Sequence, residues 1–131
     1  MGKGEHDESS AAANEARLAA ALEKVWVRAK PTIRNQLELL DDVVGRLTGG
    51  VPVPLREKAS EEAHKLAGSL GTLGHAEASR IAGKLEVALA SDDDGARLAP
   101  RASALLEALR GLLAPSLVTN GSAAPPGLGD G

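Results

Sequence analysis

A chain of 131 residues suits one domain, and 43% apolar residues can close a core at that size. Those residues are nearly all Ala, Leu, Val and Ile, with one Trp and no Phe or Tyr, which favours an all-α fold. The formal charge of −3 with mixed signs, the single Trp26, the absence of cysteine and the lack of a long apolar run argue against a nucleic-acid platform, thiolate chemistry and a membrane span.

Residues 1–13 are polar and rich in Ala and Gly, and read as a flexible N-terminal tail. The opening MGKGEHDESS lacks the apolar core of a signal peptide, so a cytoplasmic location is the expectation. Residues 14–114 read as the folded unit, with five amphipathic segments. Leu18, Leu22, Val25 and Ala29 step by four, three and four, and predict a short first helix. Pro31 starts or kinks the next, in which Ile33, Leu37, Leu40, Val44 and Leu47 repeat the stepping until Gly49-Gly50. Val51-Pro52-Val53-Pro54 should be extended.

A third helix is expected from Pro54 to Leu73, with Ala59, Ala63, Leu66, Leu70 and Leu73 inward and Gly74 at its stop. Ala78, Ile81, Ala82, Leu85 and Leu89 mark a fourth. Ser91-Asp92-Asp93-Asp94 offers caps for the last helix, which should bury Ala102, Leu105, Leu109 and Leu112. Residues 115–131, PSLVTNGSAAPPGLGDG, read as a flexible Pro/Gly-rich tail. The spacing and short connections predict an antiparallel up-down four-helix bundle with a short additional N-terminal helix.

The chemistry concentrates in His64-Lys65-Leu66-Ala67-Gly68-Ser69-Leu70-Gly71-Thr72-Leu73-Gly74. At about 100° per residue, Gly68 lies roughly 40° from His64 and Gly71 within about 20°. His64 then sits at the edge of the core stripe, pointing outward, with both glycines beside it. Each glycine costs a helix about 1 kcal/mol relative to Ala. In exchange they clear a docking face around a nitrogen that is nucleophilic near pH 7.

This run, with the later Lys84-Leu85-Glu86, resembles the signature of histidine-containing phosphotransfer (HPt) domains over roughly residues 14 to 114. The resemblance implies a four-helix bundle in which His64 takes a phosphoryl group on Nε2. It would exchange that group with the aspartate of a response-regulator receiver domain, or with a hybrid histidine kinase, and the Mg²⁺ would belong to the receiver. Many members carry Lys three residues after the histidine, whereas this chain has Ala67. Lys65, Arg80 and Lys84 are the candidate replacements, and the sequence leaves the choice open. Glu61, one turn before His64, is the candidate to hold Nδ1–H.

Other chemistries fit less well. The glycines lack the Gly-Lys-Ser/Thr ending of a phosphate loop. A calcium loop through Asp92, Asp94 and Gly95 would put Ala90 and Arg101 at ligand positions. His64 and His75 lie about 16 Å apart along a helix, too far to share a metal. The expectation is therefore a monomeric phosphorelay intermediate with no kinase activity, cofactor or metal of its own. Two alternatives stay open: a helical adaptor that binds a receiver-like partner without transfer, and the histidine-bearing domain of a chemotaxis-type kinase.

Overall fold

The computed structural model describes the backbone of residues 3–118 and the side chains of residues 11–118. Four helices follow in order: α1 (Lys3–Arg46), α2 (Val53–Thr72), α3 (Ala76–Ala90) and α4 (Gly95–Val118), with a 3-10 turn at Leu47–Gly49 after α1. There is no strand among the described residues. Each helix packs on the next and α4 returns to α1. Asp41 meets Arg110, and Arg34 reaches the Leu117 carbonyl, so α1 and α4 run antiparallel. This is the up-down bundle that the spacing predicts.

The additional N-terminal helix is not a separate element. One helix of 44 residues runs through Pro31. Proline there removes a bond to the Val27 carbonyl, but both residues are exposed and water can serve that carbonyl. Residues 3–13, expected as tail, belong to this helix, and residues 115–118 belong to α4. The rest of the expected C-terminal tail, residues 119–131, lies outside the described residues. At 1.5 Å per residue α1 is about 66 Å long, against about 30 Å for α2, so its N-terminal part outruns its neighbours.

That excess length corrects the first apolar stripe. Leu18 and Val25 are exposed, Leu22 and Ala29 are half-buried, and the anchor is Trp26 at 6% exposure. Trp26 donates from Nε1 to the Ser116 carbonyl (3.3 Å) and packs against His75 with ring centres 4.5 Å apart and planes tilted by 38°. Further along, Ile33, Leu37, Leu40, Val44 and Leu47 are all buried, as their stepping requires.

Helix α2 begins after Pro52, whose backbone is extended (ψ 142°), and carries Pro54 in its first turn. It buries Ala59, Ala63, Leu66 and Leu70, and Leu73 is half-buried. Its end is a Schellman turn. His75 N–H donates to Leu70 C=O (2.8 Å) and Gly74 N–H to Gly71 C=O (3.2 Å). Gly74 takes the left-handed φ of 92° that this turn needs. Helix α3 buries Ala78, Ala82, Leu85, Ala88 and Leu89, with Ile81 half-buried.

The inward face of α4 is rotated from the expected one. Leu98, Ala102, Leu106, Leu109 and Leu113 are buried, while Leu105 is half-buried and Leu112 exposed. Two helical tracks share Ala102 and Leu109, and leucine occupies 105, 106, 112 and 113 alike. Packing alone separates them. At the start of α4, a Cβ on Gly95 would come within 2.3 Å of the Leu47 carbonyl oxygen, so glycine admits the close approach to that turn. The hydroxyl organising the preceding loop is that of Ser91, which donates to Ala88 C=O (2.8 Å) and accepts from Asp93 N–H (3.3 Å). Both bonds belong to the end of α3 and its loop and neither reaches an N–H of α4, so Ser91 does not supply the expected cap of the last helix, while Asp93 pairs with Arg101.

The two tracks on α4 separate in a stability measurement. Leu113→Ala should cost about 2–5 kcal/mol in urea unfolding, as core leucine truncations do. Leu112→Ala should stay within about 0.5 kcal/mol of the parent. Equal losses would mean that the face is misassigned.

Candidate functional site

His64 stands on α2 with its side chain 73% exposed. Its Nδ1 faces the Glu86 carboxylate of α3, 3.1 Å from one oxygen and 3.2 Å from the other. A carboxylate only accepts, so the pair favours the tautomer with the proton on Nδ1. Nε2 is then left with its lone pair. The partner is Glu86 and not Glu61. Glu61 lies further round α2, about 60° from His64 on its solvent side, and makes no hydrogen bond to it.

Three contacts fix the register that brings His64 to Glu86. Ser60 Oγ donates to the Glu86 carbonyl (3.0 Å), and Ser79 Oγ to the Ala67 carbonyl (2.7 Å). At the other end, Arg56 of α2 donates to the carbonyls of Leu89 (2.8 Å), Ser91 (2.8 Å) and Asp93 (2.9 Å). These are the last carbonyls of α3 and its loop, which have no partner within the helix. Ala59, Ala63, Ala67 and Gly71 form a row of small residues at every fourth position of α2, which permits close approach to α3.

The two glycines expected to share a docking face differ. Nothing lies within 4 Å of a Cβ placed on Gly68, so that position is open. A Cβ on Gly71 would meet Ser79 Oγ at 3.2 Å. Gly71, itself exposed, therefore lies at the edge of the α2–α3 contact, whereas Gly68 is clear of any neighbour. The sequence reading missed Gly83 on α3, which is likewise open. It sits three residues before Glu86, and the exposed Val87 follows that glutamate.

The candidate cations are dispersed. Lys65 pairs with Glu62 (3.3 Å), which also draws Lys58 (3.9 Å) and accepts from Gln36 Nε2 of α1 (3.2 Å). This cluster lies on the α1 flank of α2, about 100–160° round from His64. Burial pushes the Glu62 carboxyl up, but Gln36, Lys65 and Lys58 together outweigh it and hold it below its ordinary value. Arg80 pairs with Glu77. Lys84 is exposed on the far flank of α3, toward α4. None of the three makes a hydrogen bond or ion pair with His64 or Glu86, and position 67 is a half-buried alanine at the α3 contact. No cluster of possible metal ligands occurs among the described residues, and no described helix is long and apolar enough to cross a membrane.

The geometry is that of an oriented, accessible imidazole with Nδ1 held and Nε2 open. The family model described as the Hpt domain matches residues 30–114 of this chain. Comparison with curated proteins and with solved structures finds no match.

Two measurements test the site. In ¹⁵N-edited spectra, neutral His64 should carry its proton on Nδ1; Glu86→Ala should shift the tautomer population, and Glu61→Ala should leave it alone. A tautomer indifferent to Glu86 would remove the orienting role. For Glu62, a carboxyl lowered in the folded state stabilises above its unfolded value of about 4.5 and loses that contribution as pH falls through the folded value. The stability gap between parent and Glu62→Gln should hold steady above pH 4.5 and narrow below it.

Proposed function

The chain belongs to the Hpt-domain family, the histidine phosphotransfer domains of phosphorelays, and on that premise we propose that His64 Nε2 is the atom that carries the phosphoryl group. The observation behind this reading is the exposed His64 ring with Nδ1 turned to Glu86 and Nε2 open. The partner would be the receiver domain of a response regulator or hybrid kinase, phosphorylated on aspartate.

In the transfer, the Nε2 lone pair attacks phosphorus in line, an N–P bond forms, and the P–O bond to the receiver's aspartate breaks. The aspartate leaves as a free carboxylate. The ring keeps its proton on Nδ1 and becomes cationic, and the Glu86 carboxylate offsets that charge at hydrogen-bond distance. Running backward, the same steps return the group to aspartate. Mg²⁺ bound by the receiver would neutralise the phosphoryl oxygens. With Ala67 where many members have lysine, the partner would supply more of that neutralisation. This chain contributes orientation and access, and the phosphoryl group arrives from outside.

The open Gly68 supports close approach. Leucine there meets no neighbour at its Cβ and replaces the poorest interior residue after proline.

The test uses receiver domains of the source organism, phosphorylated and mixed with the protein. His64→Gln should abolish an acid-labile label while leaving helicity unchanged. Label persisting on that variant would overturn the assignment. Gly68→Leu should be at least as stable as the parent and accept phosphate from phosphoramidate, yet lose transfer from the receiver by orders of magnitude. Binding without labelling of the parent would favour the adaptor; labelling only by a kinase domain would favour the chemotaxis-type alternative.

A further inference from the structure

A second surface adjoins His64 on the α3 side. Between α3 and α4 runs a groove of about 740 Å³ lined by Arg80, Gly83, Lys84, Val87, Arg101 and Leu105, among others. Apolar side chains line it as well, with Val87 68% exposed and Leu105 half-buried. Three cations border it in a chain whose net charge is negative. Arg80 and Arg101 hold only exposed surface partners, Glu77 and Asp93, the latter at 3.5 Å. Among the described residues, Lys84 makes no hydrogen bond or ion pair.

The groove is continuous with the His64 surface. Gly83 and Val87 lie one turn before and one residue after Glu86, which holds His64. Gly83 leaves no side chain as a wall between the two. A standard protein interface covers about 800 Å² per partner, a disc of about 16 Å radius. A receiver centred on His64 with such a footprint must cross α3, since adjacent helices lie only about 8–10 Å apart. The opposite flank offers less: Lys58 and Lys65 converge on one carboxylate, Glu62, that is 15% exposed and also held by Gln36, whereas the carboxylates paired with Arg80 and Arg101 are about half exposed.

We propose that the α3–α4 groove is the second half of the docking surface, taking from the receiver an apolar side chain against Val87 and Leu105 and an acidic one among Arg80, Lys84 and Arg101. The inference rests on the reading of His64 as the phosphoryl carrier. It adds which side of His64 the partner covers and what chemistry selects it. Neighbouring charges of this kind raise the association rate and reject partners of the wrong sign.

The experiment measures phosphoryl transfer from the fastest-exchanging phosphorylated receiver across its concentration range. The parent is compared with Arg101→Glu and with Val87→Glu. Both sites are exposed, so the fold should be retained, and helicity and melting temperature check this. Each variant should raise the half-saturating receiver concentration about tenfold or more while the maximal rate stays within about twofold. The parent's half-saturation should rise with salt, and that of Arg101→Glu should rise less. Unchanged half-saturation in both folded variants would overturn the proposal. So would a maximal rate that falls with half-saturation unchanged. If no receiver labels the parent, the reading of His64 fails instead, which is a separate result.

Discussion

The close pairing of α2 with α3 is the constraint on which the rest of this structure depends. Small residues at 59, 63, 67 and 71 let the two helices approach, and serine hydroxyls then reach across to backbone carbonyls. A helix carbonyl already has its own N–H partner, so these bonds use its second lone pair and leave the helix intact. They act as pegs at two heights, and Arg56 closes the far end by gathering three loop and helix-end carbonyls. Sliding α2 by one turn along α3, about 5.4 Å, would break all of them together. The 3.1 Å contact between His64 and Glu86 is a product of that register.

The outer pair of helices has a different task. α1 and α4 are longer, and their contacts lie near the helix ends and along the surface: Trp26 to Ser116, Arg34 to Leu117, and Asp41 to Arg110. Together with the leucine core they bury the inner faces of α2 and α3 and leave the outer faces bare. His64, Gly68, Gly83 and Val87 are therefore displayed on rigid elements rather than on loops, which keeps a reactive atom in place without enclosing it.

The site is also asymmetric in charge. On one flank of α2, Glu62 neutralises two lysines and ties them toward α1. On the other flank, beyond Glu86, cations border an apolar groove. Position 67 is taken up by the helix contact that holds the register, because its carbonyl receives Ser79 and its small side chain is half-buried against the core. The nearest charged side chain to the ring is thus Glu86.

The sequence by itself determined the helices and most of their inward faces, because burial at spacings of three and four writes itself directly into Ile33 to Leu47, Ala59 to Leu70 and Ala78 to Leu89. It also singled out His64, whose neighbours break helix propensity without a structural gain on their own helix. Three features were beyond its reach. Proline at 31 signals a boundary locally, yet exposure of its freed carbonyl lets one helix continue. Leucines at 105, 106, 112 and 113 satisfy two faces equally, so only the position of α1 and α3 selects one. Finally, local spacing offers Glu61 as the partner of His64, while the real partner is 22 residues away on another helix. Periodicity reports which side of a helix is buried, but the rotation and height of one helix against another are set by interhelical contacts, and only the tertiary structure decided those.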